Sequence, residues 1–198
     1  QNISQALEEA SNFYRLLLPK HPEASGYLKR RGLTGEIAQR FGLGFAPDHP
    51  NLSSVFADYA QSGSLIDAGL VKQREDSNRR YDFFRDRVIF PIRNVKGQII
   101  GFGGRIMDKG EPKYLNSPET PVFQKNQELY GLFEARSSIS HHRFALVVEG
   151  YMDVVALAQS GIENAVATLG TATSALHIEK LFRCIDRMVF SFDGDSAA

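Results

Sequence analysis

Three carboxylates follow apolar runs near the C-terminal end of the sequence. Glu149 comes directly after the run 145–148, and the pair Asp193 and Asp195 follows the run 188–192. Each run is short, rich in β-branched or aromatic side chains, and ends at an acid and a glycine, as a buried strand of a parallel sheet does. Ligands of open α/β sheets bind at the carboxyl ends of the strands. The spacing therefore predicts that three acids meet at one edge of a sheet.

Acids in this arrangement suggest a metal site. Asp193 and Asp195 lie two positions apart on extended backbone and point to the same side, where like charges repel each other unless a cation joins them. Carboxylate oxygens, with no soft ligands beside them, select Mg²⁺ or Mn²⁺. Each acid alone is more often a turn residue, but the combination favours Glu149, Asp193 and Asp195 as metal ligands. Asp153 is expected to support them from the first turn of the following helix.

The elements that must position these acids alternate between strand and helix. Three strands and two helices are predicted, at 145–148, 151–160, 165–169, 174–185 and 188–192. This order is typical of a parallel sheet with right-handed crossovers. We therefore expect a partial α/β unit over residues 143–198, preceded by a basic α+β subdomain over residues 1–142.

Residues 1 to about 70 are predicted to form short helices. Apolar residues recur at helical spacing from Ile3 to Leu17, and Asn2 and Gln5 form a plausible capping pair. Four shorter helical segments, ending at glycine or polar residues, are predicted at 22–31, 34–41, 52–59 and 65–68.

The middle of the chain is predicted to be a β-hairpin, formed by the runs 87–93 and 98–105 with a turn ending in glycine. Pro91 indicates an edge position or a bulge, because proline cannot donate a ladder hydrogen bond. The glycines within 101–104 fit either bulges or places that another backbone or a ligand approaches closely. A short helix at 129–135 and a polar connection at 137–142 are predicted to follow.

The charge of the chain is unevenly distributed. Nine Lys/Arg face four Asp/Glu in residues 79–113, whereas three face seven in residues 144–198. Chance patterning of solvated faces would produce this asymmetry, and so would a basic surface beside an acidic pocket that together hold a polyanion and metal ions. The cluster 29–31, which includes Arg30, either complements a helix dipole or meets a phosphate.

The proline-rich segment 111–125 is predicted to be an ordered loop. Lys113, Tyr114 and Asn116 offer a cation, a stacking ring and an amide, a mixture suited to single-stranded nucleic acid.

Composition sets the class of protein. A 42% hydrophobic chain of 198 residues predicts one or two globular domains, and the absence of an apolar run of about 18 residues predicts no membrane span. A single cysteine excludes an internal disulfide, and the N-terminal residues lack a signal-peptide pattern. A cytoplasmic location is the default expectation.

The acids and their strands resemble the Toprim pattern shared by primases, topoisomerases and some nucleases. The match extends over nearly the whole chain, because five stretches are similar to the RNA polymerase domain of bacterial DnaG-type primases: 27–33, 87–92, 101–105, 112–120 and 149–153.

The resemblance implies DNA-directed synthesis of short RNA primers for replication at the cytoplasmic replication fork. In this nucleotidyl transfer Glu149, Asp193 and Asp195 bind Mg²⁺ or Mn²⁺. The residues implied to contact the single-stranded DNA template or the nucleoside triphosphates are Arg30, Arg105, Lys113, Tyr114, Asn116 and Lys125. Zinc and the replicative helicase are expected to bind only through separate N-terminal and C-terminal modules that this chain lacks.

The expected fold is therefore α/β, with an α+β N-terminal subdomain and a Toprim-like parallel sheet truncated on its C-terminal side, and we interpret the chain as a fragment of a longer primase. Two alternatives share part of the pattern. A Toprim nuclease or topoisomerase would use the same acids for phosphodiester chemistry. A non-catalytic module that binds single-stranded nucleic acid would use the basic half alone.

Overall fold

The computed structural model describes residues 1–183, 185 and 187–192 of the chain. These residues form seven α-helices and nine β-strands. The helices are α1 Ile3–Leu17, α2 Pro22–Arg30, α3 Gly35–Arg40, α4 Gly63–Asp67, α5 Leu132–His142, α6 Tyr151–Gln159 and α7 Ala175–Phe182. The strands are β1 Gly44–Ala46, β2 Val71–Gln73, β3 Arg80–Asp82, β4 Arg87–Arg93, β5 Ile99–Ile106, β6 Tyr114–Asn116, β7 Phe144–Val148, β8 Ala165–Ala167 and β9 Arg187–Phe190.

The first helix begins where the sequence predicts. The Asn2 side chain accepts a hydrogen bond from the Gln5 amide at 2.8 Å, and the Gln5 side chain accepts one from the Asn2 amide at 3.0 Å. This reciprocal capping box satisfies two amides that the helix leaves unpaired. Ala6, Leu7 and Ala10 form the buried face of α1.

The helix predicted at 52–59 is wrong. Only a 3-10 turn over Leu52–Ser54 forms there. The buried Asp82 carboxylate accepts a hydrogen bond from the Leu52 amide at 2.9 Å and another from the Tyr59 hydroxyl at 2.7 Å. A side chain distant in sequence thus holds this segment and takes the place of a helical hydrogen-bond ladder.

The predicted hairpin forms the centre of a four-stranded antiparallel sheet with the strand order β1-β4-β5-β6. Pro91 pairs with Phe102 beyond the end of β1, which covers only the first three residues of β4, and the register shifts just after Ile92. Pro91 therefore lies on a free edge next to an irregularity, as expected. The register is regular over the glycines of β5, so they are not bulges.

The second half forms the predicted parallel sheet, with the strand order β8-β7-β9. Helix α6 connects β7 to β8 and α7 connects β8 to β9, which confirms the α/β prediction. The strands differ from the predicted bounds by one to two residues. Helix α5 is longer than predicted and continues through the expected polar connection to His142.

The four-stranded sheet and the three-stranded parallel sheet share an apolar core, while β2 and β3 form a small antiparallel sheet of their own. Phe41 and Phe90 from the first half pack in a single cluster with Tyr130, Tyr151 and Val155. The backbone of Tyr130 also exchanges two hydrogen bonds with Ala167 of β8, at 2.8 and 3.0 Å. The predicted division between residues 142 and 143 stays a prediction. Of the helices described, none has both the length and the apolar character that a membrane crossing requires.

Candidate active site

A cleft of about 390 Å³ lies where the carboxyl edge of the parallel sheet faces β6. It is lined by Lys113, Tyr114, Asn116, Glu149, Gly150, Tyr151, Asp153, Thr168 and Gly170. The structure therefore brings five of the predicted site residues together, three from the proline-rich segment and two acids. The volume is within the range of ligand sites in proteins.

Glu149 occupies the predicted sheet edge. It follows the last residue of β7 and precedes Gly150, the N-cap of α6, while Asp153 lies in the first turn of that helix. A second cavity of about 700 Å³ shares Glu149 with the cleft and is also lined by Phe190 and Phe192, at the end of β9. The ends of β7 and β9 are therefore adjacent, as expected for neighbouring parallel strands.

The other two predicted metal ligands, Asp193 and Asp195, lie outside the described residues, immediately after Phe192. Among the residues that the structure does describe, no three potential ligands converge on one point. The donors present fit a hard divalent cation in kind, because Glu149 and Asp153 both line the cleft and carboxylate oxygens are the ligands that such cations prefer.

Tyr151 connects the acidic edge to β6. Its side chain is only 3% exposed, and its hydroxyl donates a hydrogen bond of 2.8 Å to Asn116 Oδ1. Burial raises the pKa of Tyr151 well above its usual value, so the hydroxyl stays protonated and remains a donor. Sequence reasoning assigned no role to this tyrosine.

Gly103 makes the position of Tyr151 possible. A Cβ atom on residue 103 would lie 2.5 Å from the ring carbon that carries the tyrosine hydroxyl. Neither interpretation of the glycine pattern holds at this position, because the glycine is not a bulge and what approaches it is a side chain of the protein, not a backbone or a ligand. Residue 103 also pairs with Asn116 across β5 and β6, so ring, amide and glycine form one unit.

Arg105 is buried, with 4% of its surface exposed. Its guanidinium lies over the rings of Tyr114, at 5.1 Å, and Tyr27, at 5.8 Å, and donates a hydrogen bond to the Ile106 carbonyl. Arg31 lies 5.3 Å from the Tyr27 ring, and the Lys113 ammonium lies 5.8 Å from the Tyr114 ring. Cations and aromatic rings therefore alternate from Arg31 to Lys113. The predicted nucleic-acid contact of Arg105 therefore concerns a side chain that lies inside the protein.

Arg87 was missed by sequence reasoning and fixes the segment that carries Lys113. Its guanidinium is 6% exposed and donates to the Pro112 carbonyl at 2.7 Å and to the Gly104 carbonyl at 3.3 Å. Desolvation lowers its pKa. The available signal was an arginine directly before the apolar run 88–92 of the same strand.

Arg30 and Lys125 do not line either cavity at the sheet edge. Arg30 is exposed in the last turn of α2. Lys125 lies against α7, because its carbonyl accepts a hydrogen bond from Nε2 of the buried His177 at 2.8 Å and its amide donates to Glu119 at 3.3 Å. Their predicted contacts with template or nucleotide remain predictions.

Comparison with known families identifies the fold. The N-terminal domain of the DNA primase catalytic core matches residues 13–136, more than half of the chain. The chain belongs to the DNA primase catalytic core family. A Toprim domain matches residues 143–197. These matches confirm the resemblance read from the sequence motifs.

Individual primases agree with this assignment. The DNA primase of Pseudomonas putida is 57% identical over 196 residues, which cover 96% of this chain and 30% of that protein. The crystal structure of a DNA primase domain from Pseudomonas aeruginosa has a TM-score of 0.92 and 56% identity, and the match covers 98% of this chain and 62% of that one. The structure of the DnaG primase catalytic domain bound to ssDNA has a TM-score of 0.88 and 46% identity, over 98% and 62% of the two chains. The chain thus spans less than a third of the length of its curated relative.

Proposed function

We propose that the protein synthesises short RNA primers on a single-stranded DNA template. One observation carries the proposal: the cleft places Glu149 and Asp153 opposite Lys113, Tyr114 and Asn116. Acids for a divalent cation and groups for a nucleic-acid strand therefore face the same space. Membership of the primase family supports primer synthesis over the nuclease, topoisomerase and binding-module alternatives.

The template strand contacts the β6 side of the cleft. The Tyr114 ring is 40% exposed and offers a face on which a base can stack, while Lys113 beside it is exposed and suited to a phosphate. The Tyr151 hydroxyl donates a hydrogen bond to Asn116 Oδ1, which holds the side-chain amide of Asn116 in one orientation. The Nδ2 group of this amide can then donate to a nucleic-acid strand. A similar catalytic domain has been solved with ssDNA bound, which supports this assignment.

The nucleotide contacts the acidic side. Glu149, together with Asp193 and Asp195, would hold Mg²⁺ or Mn²⁺. Such a cation, when bound, neutralises the triphosphate and lowers the pKa of the attacking hydroxyl. Asp153, in the first turn of α6, lines the same cleft and supports the acids. The primer 3′ hydroxyl releases its proton to solvent, and its oxygen forms a bond to the α-phosphorus of the incoming nucleotide as the bond from that phosphorus to pyrophosphate breaks. The protein therefore needs no nucleophile of its own.

We propose that the protein acts in the cytoplasm at the replication fork. There the replicative helicase is a partner that binds a separate C-terminal module of the longer primase, and zinc binds a separate N-terminal module. The division into a basic unit over residues 1–142 and a partial Toprim unit over residues 143–198 is part of the same proposal. Its support is that the acids and the strand-binding groups come from the two sides of that division.

The test uses the full-length protein with Glu149→Gln and, separately, Asp195→Asn. We expect primer synthesis to fall by about 100-fold or more and Mn²⁺ binding, followed by electron paramagnetic resonance, to weaken in both variants. Glu163→Gln is the control, because it removes a carboxylate that forms an exposed ion pair with Arg40 at 2.9 Å. Unchanged Mn²⁺ binding and primer synthesis in Asp195→Asn would show that the metal role is wrong.

A further inference from the structure

A basic cavity, separate from the two cavities at the sheet edge, lies on the small antiparallel sheet formed by β2 and β3. Its volume is about 520 Å³. It is lined by Arg74, Ser77, Arg79, Arg80, Tyr81 and Arg85. None of these residues lines the cleft at the sheet edge, so the cavity is a separate feature of the molecule.

The four arginines of this cavity differ in what they bind. Arg80 serves the fold, because its guanidinium donates to the carbonyls of Tyr59 at 2.8 Å and Ser62 at 2.6 Å. The side chains of the other three, Arg74, Arg79 and Arg85, are exposed and make no hydrogen bond or ion pair with any residue that the structure describes. The single contact of these guanidiniums with a side chain is that of Arg85, 5.4 Å from the Tyr81 ring, within the described part of the chain.

The acids near this cavity form no ion pair with its three exposed arginines among the described residues, and Arg85 acts on an acid only at longer range: burial raises the pKa of Asp82, and the charge of Arg85 lowers it. Asp82 accepts its hydrogen bonds from the Tyr59 hydroxyl and the Leu52 amide, and Asp86 accepts one from the Asp48 amide at 3.2 Å. Glu75 and Asp76, in the turn between β2 and β3, are exposed and form no ion pair within the described residues. Three like charges around one concave surface repel each other and favour a bound anion.

The cavity adjoins the segment that carries Lys113. Arg85 lies two residues before Arg87, a span of at most about 7 Å along the chain. The Arg87 guanidinium in turn donates to the Pro112 carbonyl at 2.7 Å, next to Lys113 at the rim of the cleft. Arg87 therefore connects the chain beside the cavity to the rim of the cleft, where a strand would pass Lys113.

We propose that Arg74, Arg79 and Arg85 form a second phosphate-binding site, which holds the backbone of a nucleic-acid strand where it extends beyond the cleft. The guanidinium fork matches two phosphate oxygens at once, and neighbouring arginines can follow successive phosphates. Such contacts add affinity without reading sequence. The inference rests on the proposed function, since it takes the occupant of the cleft to be a nucleic-acid strand.

The test compares single-stranded oligonucleotides of two lengths, about 6 and about 20 nucleotides, on the full-length protein. In the triple variant Arg74→Ala, Arg79→Ala, Arg85→Ala, we expect the dissociation constant of the long oligonucleotide to rise about 10-fold. The slope of log affinity against log salt should become shallower by about 2, because three phosphate contacts are lost. The short oligonucleotide, which occupies the cleft alone, should bind as before.

Two further variants make the result specific. The control removes three exposed cations that do not line the cavity, at Lys20, Lys96 and Arg183, and changes the net charge equally. Replacing the three cavity arginines by lysine should restore the salt slope. If circular dichroism shows that the alanine variant is unfolded, the lysine variant keeps the test valid.

Three outcomes are informative. Equal losses in the cavity variant and the charge control would overturn the site. A loss of nucleoside triphosphate affinity, with the long oligonucleotide unaffected, would overturn the strand as its ligand and assign free nucleotide in its place. Failure of the unsubstituted protein to bind the short oligonucleotide would contradict the proposed function itself, which separates the two inferences.

Discussion

The Tyr151 hydroxyl donates a 2.8 Å hydrogen bond to Asn116 and so joins the start of α6 to β6. Tyr151 lies two residues after Glu149, and Asn116 lies in the strand beside Lys113 and Tyr114. A single hydrogen bond thus ties the acid-bearing edge of one sheet to the proposed strand-binding edge of the other. The ring of Tyr151 packs edge-on against Tyr114 at 5.4 Å, which adds a second contact between the same elements.

Tyr151→Phe tests this connection. The variant keeps the ring and removes one hydrogen bond, so we expect unfolding to become easier by about 1 kcal/mol. Because Asn116 is then free to rotate, affinity for single-stranded DNA should fall by about 3- to 10-fold, a cost of about 1 kcal/mol. Chemical denaturation and fluorescence anisotropy measure the two effects.

Tyr130→Phe is the matched control for that hydroxyl. Tyr130 is also buried in the shared core, but its hydroxyl has no hydrogen-bond partner among the residues described. Its removal should leave DNA affinity unchanged and stability equal or slightly higher. Equal effects of the two substitutions on DNA binding would contradict the role given to the Tyr151 hydroxyl.

Gly103→Ala should displace Tyr151. The new methyl group would lie 2.5 Å from the ring, and both partners are held in a packed core. We expect a loss of about 1–3 kcal/mol in unfolding free energy, together with weaker DNA binding. Gly35→Ala is the control, because a Cβ atom there would meet no atom within 4 Å. If Gly103→Ala were as stable as this control, the close approach of the tyrosine ring would be wrong.

Local sequence patterns predicted the features that depend on neighbouring residues. The capping pair Asn2 and Gln5, the hairpin with Pro91 at a free edge, and Glu149 at the end of a parallel strand all follow from short-range spacing. Arg105 could not be placed in this way. Its alternation with glycines on β5 indicates a strand, but its burial results from Tyr27 and Tyr114, which other elements bring to it.

The errors have the same physical origin. The segment 52–59 has helical spacing, yet Asp82 holds it in another conformation through hydrogen bonds across 23 and 30 residues. The polar residues 137–142 suggested a connection, but α5 continues because Ile139 is buried in the core of the parallel sheet. Tertiary contacts overrode local preference in both segments.

Glu134 should make stability depend on pH. The carboxyl group pairs with Arg93 at 3.3 Å, but its burial is the largest influence and raises its pKa above the usual value. The native state therefore takes up a proton more readily than the unfolded chain. This stabilisation is present below the pKa of the unfolded chain and is lost as pH rises through the pKa of the native state.

Glu134→Gln removes that titration. The stability of the variant relative to the unsubstituted protein, followed by urea denaturation, should therefore increase over the pH range above about 4.5, the usual pKa of a glutamate. Glu163→Gln is the control, because it removes an exposed carboxylate that forms an ion pair with Arg40 and is not buried as Glu134 is. A stability difference that stays constant over this range would show that Arg93 balances the effect of burial on the pKa, and one that decreases would show that Arg93 outweighs it; either result would contradict the prediction.

Lys113→Ala isolates a single cation at the rim of the cleft. The side chain is exposed and lies 5.8 Å from the Tyr114 ring, and the fold uses only its backbone carbonyl, which accepts from the Ile106 amide at 3.1 Å. Stability should therefore change by less than about 0.5 kcal/mol. The salt slope of single-stranded DNA binding should fall by about 0.7, the value for one phosphate contact on a single strand. Lys96→Ala, in the exposed turn between β4 and β5, removes the same charge away from the cleft and should leave the slope unchanged. Because each variant lowers the net charge by one, an equal loss in both would mean that overall charge attracts the strand, and that Lys113 does not contact a phosphate.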